Sequence, residues 1–293
     1  VTGIYKSNVG KWGEIQAAAE QAAAINERLG ERRWWAEDLI LLAFMAYYHG
    51  QFARGLKLFS EAHSLSQQIN NIQQQPWELF GQAHGLIRLG QADEAVPLLE
   101  KALTASDEVT DLRVKVNSYA LLALARLRRG EPELARAAAT DAAQRIAKAR
   151  TSDVTYSLEG YADVAEVYLA LWEANAQNGQ PASELRALAA PARQACKALH
   201  QFAGVYPIGQ PRDWLWQGLY DWLNGKPARA QQAWRKSLER AGQLSMRYDE
   251  ALAHYQIGRH LKAEDQARLE HLARAREIFS ELGAAYDLAR AQN

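Results

Sequence analysis

The stretch YYHGQFARGLKLFSEA, residues 47–62, returns forty residues later as LIRLGQADEAVPLLEKA, residues 86–102. Counted from Gly50, positions +5, +9 and +12 hold Gly55, Phe59 and Ala62; counted from Gly90 they hold Ala95, Leu99 and Ala102. These offsets fall near multiples of 3.6, so a small, a large and a small residue share one helical face. The series recurs after Gly130 (Ala135, Ala139, Ala142), after Gly225 (Ala230, Trp234, Ser237) and, more loosely, after Gly10 (Ile15, Ala19, Ala22). Gly10, Gly50, Gly90 and Gly130 stand 40 residues apart.

Each glycine lies between two amphipathic stretches, where a residue free to take positive φ ends one helix and lets the next begin. Pro132, Pro181 and Pro227 follow their glycines by two, a first-turn position where a missing N–H is no loss. The unit is therefore helix, tight turn, helix. Small residues at +5 and +12 let the second helix lie close against the first, and the large residue at +9 fills the seam. Helices of about 15 residues are marginal alone in water, so such units must stack on their neighbours. The first helix of one pair, WWAEDLILLAFMAYY (34–48), is apolar almost all round, as a helix covered on several sides should be. The expected fold is all-α, a right-handed α-solenoid with a period near 40 residues, spanning 1–293 as a single domain.

The turn glycine and the small residues at +5 and +12 resemble the tetratricopeptide repeat, although the period of 40 exceeds the 34 usual there. More narrowly, YSLEGYADVAEVYLALWE, YPIGQPRDWLWQGLYDWLNGKPARAQQAWRKSLERA and YDEALAHYQIGRHL resemble the C-terminal helical region of large bacterial signalling proteins. In those proteins a signal-transduction ATPase precedes such repeats, often with a cyclase or DNA-binding domain attached. The resemblance rests on scaffold residues, so it transfers no activity to any residue of this chain.

Composition agrees with an ordered, core-forming chain: 48% of its 293 residues are hydrophobic, with 19 Gly and 8 Pro. Lys plus Arg equals Asp plus Glu at 34 each, which argues against a general binder of nucleic acid or anionic membrane. A single cysteine, Cys196, forms no intrachain disulfide and no thiol-rich metal site, and fits a reducing, cytoplasmic setting. The longest apolar run, Leu39 to Tyr48, is ten residues, well short of the roughly 18 that span a bilayer. The N-terminal VTGIYKSNVGKWGEIQ has neither an initiator Met nor signal-peptide features, so a segment of a longer protein is expected.

The register loosens after Gly130. The next turn glycines, Gly179 and Gly225, come 49 and 46 residues on, and positions +5 and +12 after Gly179 are Glu184 and Pro191. The face is expected to realign on Leu185, Leu188, Ala192 and Ala195. With Ser152 and Asp153 as caps, the preceding helix is expected to run about 25 residues. GVYPIGQP, 204–211, breaks the helix and reads either as a plain inter-repeat loop or as a loop shaped for a partner.

Repeat arrays of this kind bind along the concave face lined by their first helices. Stepping back from each turn glycine by 13, 10, 6 and 3 marks a candidate groove whose members include Glu37, Phe44, Tyr47, Trp77, Phe80, His84, Asn117, Glu173, Arg212 and Trp222. Such residues either line a groove for an apolar or helical ligand or pack between helices. The Lys and Asn clamp that some tetratricopeptide proteins close on a C-terminal carboxylate is absent from these positions, which argues against chaperone-tail capture. Arg126, Arg128 and Arg129 precede Gly130, where cations complement a helix C-terminus. Trp214 and Gly218 fall on packing positions. His254, His260 and His271 form no metal motif and read as solvated, and neither a phosphate loop nor a nucleophile elbow is present.

The expectation is a non-catalytic regulatory scaffold with no cofactor and no metal. Its partner would be a protein or peptide, or the adjacent domains of its own chain, with no role for nucleic acid or membrane. The alternative, in line with resemblance to maltose-type transcriptional activators, is a small-molecule effector sensor.

Overall fold

A computed structural model of the chain describes residues 6, 9–109, 111–149 and 156–292. The register glycines sit where the sequence places them: Gly10, Gly50, Gly90, Gly130, Gly179 and Gly225 all have φ between 68° and 87°. The seam residues that follow are sealed. Phe59, Ala62, Ala95, Leu99, Ala102, Ala135, Ala139, Ala142, Ala230, Trp234 and Ser237 are all 0% exposed. Small residues at +5 receive large partners. The Tyr47 ring lies directly over Gly55, and its hydroxyl donates to the Gly81 carbonyl at 2.7 Å.

Fourteen α-helices follow one another among the described residues: α1 (Trp12–Leu29), α2 (Arg32–Tyr48), α3 (Phe52–Gln68), α4 (Gln75–Arg88), α5 (Ala92–Val109), α6 (Leu112–Arg128), α7 (Pro132–Ile146), α8 (Leu158–Gln177), α9 (Ala182–Val205), α10 (Gln210–Leu223), α11 (Pro227–Gln243), α12 (Arg247–His260), α13 (Gln266–Glu281) and α14 (Ala285–Gln292). Each pairs with the next as an antiparallel hairpin and with the one before as a stacked neighbour. Even-numbered helices also touch one another in series, α2 to α4, α4 to α6, α6 to α8, α8 to α10 and α10 to α12, so they form an inner layer under the odd-numbered outer one. The fold is an all-α solenoid of helix-turn-helix repeats.

Three details differ from expectation in the irregular part. The expected caps Ser152 and Asp153 lie outside the described residues; α8 begins at Leu158 and runs 20 residues rather than 25. Pro181 is the residue before α9 rather than its first turn. GVYPIGQP does not project: Pro207–Gly209 form a 3₁₀ turn that leads directly into α10, and Ile208, Gly209 and Pro211 are buried. Ring contacts hold it inward, Phe202 against Tyr206 at 4.9 Å. The realigned face of α9 is as read, with Leu188, Ala192 and Ala195 in the core and Leu185 packed at its edge.

The array returns on itself. Trp12 Nε1 donates to the Leu244 carbonyl at 2.9 Å across 232 residues of sequence. The Phe52 ring meets Tyr248 edge-on at 5.3 Å, and Leu89 reaches Gly283. Gly50 and Gly90 have a second reason to be glycine here. A Cβ at Gly50 would stand 2.9 Å from Leu282, and one at Gly90 would stand 3.1 Å from Ala285 Cβ. The C-terminal hairpins thus rest on the turn edges of the N-terminal ones, and the inner helices enclose an interior.

Candidate functional site

Six inner helices send charged side chains into that interior. Arg88 on α4 donates to Asp163 on α8 at 2.9 Å, to Tyr248 Oη on α12 at 3.4 Å and to His84 Nε2 at 3.1 Å. Arg128 on α6 donates to the Ile87 carbonyl at 2.7 Å and to both Tyr248 Oη and Asp287 of α14 at 3.3 Å. Arg212 on α10 donates to Asp249 of α12 and stands 3.9 Å from Asp163. Tyr248 is the hub. Its hydroxyl donates to Asp287 at 2.7 Å while accepting from the two arginines, which uses its one donor and both lone pairs. The guanidinium carbons of Arg88 and Arg212 lie 5.1 and 5.2 Å from its ring centroid.

Burial sets the protonation states. It pushes the Tyr248 hydroxyl up to about 12, helped by the Asp287 charge, so the phenol keeps the proton it donates. His84 is held well below its ordinary value by burial and by Arg88, Arg212 and Arg128. Because Arg88 donates to its Nε2, the imidazole is neutral with its proton on Nδ1, and its 3.8 Å approach to Glu159 is not an ion pair. Burial and the Asp163 charge push Glu159 up to about 7 against the pull of Arg88. Asp287 sits below the usual carboxylate range despite its burial, held there by Arg128 and Arg290. Burial raises Glu166, opposed first by Arg128.

The ten residues marked from the sequence fall into several environments. Phe44, Tyr47, Trp77, Phe80 and His84 form an aromatic cluster: Phe44 to Phe59 at 5.3 Å, Trp77 to Phe80 at 5.9 Å, Tyr47 to His84 at 4.6 Å. All five are buried. Asn117, also buried, ties α6 to the start of α8 by donating to the Tyr156 carbonyl and accepting from Gly160 N–H. Arg212 belongs to the ion-pair network. Glu173 accepts from Arg259 at 3.0 Å, Trp222 lies 4.4 Å from the His260 ring, and Glu37 pairs on the surface with Arg33. Apart from Glu37 on the surface and Glu173 at the edge of an interior cavity, these side chains pack between helices instead of lining an open groove, under neighbours such as Tyr156, whose ring stacks on Phe44 at 4.6 Å.

Arg88, Arg128, Asp163, Glu159, Tyr248, Asp249 and Asp287 were not marked. Arg128 reads in sequence as a helix-end cation, yet its side chain is 1% exposed and points into the network; Arg126 and Arg129 do stay outside, paired with Glu100 and Asp93. One signal was available. In α8 every acidic residue, Glu159, Asp163, Glu166 and Glu173, falls on a single stripe at steps of 4, 3 and 7. The histidines differ from expectation as well: His254 and His271 share a 2.8 Å Nδ1 to Nδ1 hydrogen bond, and His260 stacks on Trp234. Among the described residues no cluster of three or more His, Cys, Asp or Glu suits a metal ion.

Two cavities bear on binding. An interior one of about 240 Å³ is lined from α6, α8, α10, α12 and α14 by residues including Arg128, Glu166, Glu173, Trp216, Arg259 and Arg290. An outer cleft of about 380 Å³ runs between α7 and α9, with Tyr161, Val164 and Tyr168 of α8 as its floor. Alanines on both walls, Ala143 and Ala147 facing Ala195 and Ala198, leave the space.

No protein-family model matches the chain, and no curated protein matches it. Among solved structures it is similar to BtubC (BKLC) from P. vanneervenii, at 18% identity over 78% of this chain and 90% of that one, with a TM-score of 0.49. It is also similar to the TPR2AB domain of yeast Sti1 in its pHSP90 complex, at 16% identity over 88% of this chain and 98% of that one, with a TM-score of 0.33. The chain's own hairpins define its fold class, with the tetratricopeptide-like form of glycine turn and small-large-small seam.

Proposed function

We propose that the chain is a non-catalytic interaction module that receives an acidic amphipathic helix of a protein partner in the outer cleft between α7 and α9. The cleft itself supports this reading. It is mostly apolar, it is floored by two tyrosines of the kind that anchor interfaces, and its alanine walls leave room for a partner's side chains. Arg136 lines the cleft, and elsewhere on its wall helices and the turn after α7 stand Arg145, Lys148, Arg186, Arg193 and Lys197 against Glu133, Asp141 and Glu184, a local excess of cations in a chain with no net charge. An acidic flank on the incoming helix would be steered by that excess. The inner face is a poorer host, since a peptide there would have to displace buried ion pairs and strand their partners.

In the context the sequence resembles, the partner is another protein or the ATPase core of the same bacterial signalling chain, acting in the cytoplasm. Neither nucleic acid nor membrane enters this reading: the overall charge is balanced, and among the described residues no helix is long and apolar enough to cross a membrane. The test is selection of helical peptides from a displayed random library on the folded chain. Enriched peptides should be acidic and amphipathic, and Ala147→Trp with Ala198→Trp, which fill the cleft from both walls, should weaken them at least tenfold. Binding unaffected by the two tryptophans would remove the cleft from consideration.

A further inference from the structure

Three buried side-chain atoms without a hydrogen-bond partner, Arg128 Nε, Glu166 Oε2 and Trp216 Nε1, come from three helices, and all three residues line the interior cavity. Buried polar groups in folded proteins are nearly always satisfied, and of the twelve such atoms among the described residues these three belong to residues that line one cavity, which calls for a specific cause. Glu166 is the sharpest of them. It is 5% exposed and takes neither a hydrogen bond nor an ion pair among the described residues, whereas its stripe-mates Asp163 and Glu173 are paired with Arg88 and Arg259. Across the same cavity Arg290 makes no hydrogen bond; its nearest carboxylate is Asp287, at 3.6 Å. Leu124, Leu127 and Leu219 supply an apolar wall.

We propose that this cavity binds a small zwitterion of the amino-acid type, its ammonium group on Glu166 and its carboxylate on Arg128 Nε and Arg290. The charge layout excludes simpler ligands. A plain anion would be set against Glu166 and Glu173, a plain cation against Arg128, Arg259 and Arg290, and an apolar molecule would leave all three polar atoms unpaired. About 240 Å³ lies below the roughly 300–1,000 Å³ of sites for drug-sized ligands, so the occupant is a single small metabolite with its side chain on the leucines. The walls come from α6, α8, α10, α12 and α14, so an occupant would clamp the N-terminal and C-terminal parts of the array together. This site is separate from the outer cleft, and either can fail without the other.

The experiment is calorimetric titration and thermal melting of the intact chain against the proteinogenic amino acids and, for each, the matched carboxylic acid lacking the amino group. At least one amino acid should bind and raise Tm, and its deamino counterpart should bind at least tenfold more weakly. Glu166→Gln should lose at least tenfold in affinity for the amino acid while binding the deamino acid no more weakly than the parent does, since the variant no longer repels it. Arg290→Gln, at a side chain that makes no hydrogen bond, provides a second variant if Glu166→Gln does not fold, and it should weaken both ligands. The proposal is overturned if no amino acid binds, if neutral sugars bind in their place, or if both variants bind as the parent does.

Discussion

The inner faces of α2 and α4 and those of α8, α12 and α14 occupy equivalent layers of the repeat yet carry opposite chemistry. The first pair presents mainly rings, Phe44 edge-on to Phe59 and Trp77 and stacked on Tyr156, with Arg88 at the last turn of α4 the charged exception. The later helices present Asp163, Tyr248, Asp249 and Asp287, which meet Arg88, Arg128 and Arg212. The +5, +9 and +12 seam constrains only how an inner helix packs on its own outer partner. What the inner face carries is left to whatever lies across the interior, and that differs from one end of the array to the other.

The contrast can be broken most directly on the charged side. Asp163→Ala leaves the fully buried Arg88 without its acid and should lose about 3–5 kcal/mol by urea denaturation. The companion Arg88→Met with Asp163→Leu removes both charges and should recover most of that loss; failure to recover would mean the pair also specifies the fold. On the aromatic side, Phe80→Ala should lose a comparable 3–5 kcal/mol, with no rescue by any charge-neutral partner change. A smaller effect sharpens the comparison by pH. Glu159 rises from 4.5 to about 7 on folding, so between those values the native chain holds more protons than the unfolded one, and stability falls as pH rises through the window. Glu159→Gln should abolish that slope and gain up to about 3 kcal/mol on the parent above pH 7. His84, neutral when folded, loses stability as pH drops below 6.5 in both proteins and cancels in the comparison. Tyr248→Phe should be the mildest, about 1–3 kcal/mol, because it removes the hub's hydroxyl but keeps the ring under Arg88 and Arg212.

The solenoid was legible because its determinants are local. A glycine that must turn and an alanine that must admit a facing helix, as at Gly90 and Ala95, announce themselves within a dozen residues. The interior was not, because its partners are remote: Arg88 finds Asp163 75 residues away and Tyr248 160 residues away. Stepping back from each glycine by fixed offsets did find His84 and Arg212, which lie on the inward stripe. It passed over Arg88 and Arg128, both two residues before their glycines, where a cation has a sufficient local explanation in the helix terminus. The Glu159, Asp163, Glu166, Glu173 stripe is the exception, since four acids on one line of an otherwise apolar helix have no such explanation.

The bond from Trp12 to the Leu244 carbonyl changes how this array should come apart. Stacked repeats joined only to their nearest neighbours fray from either end, each lost unit exposing the next. Here α1 leans on the turn before α12, and the turns at Gly50 and Gly90 lean on the one before α14, so peeling one extremity strips the support from the other. Melting of this chain should accordingly be all-or-none rather than sequential, with amide exchange in α1 to α4 and in α12 to α14 rising together in a hydrogen-exchange measurement.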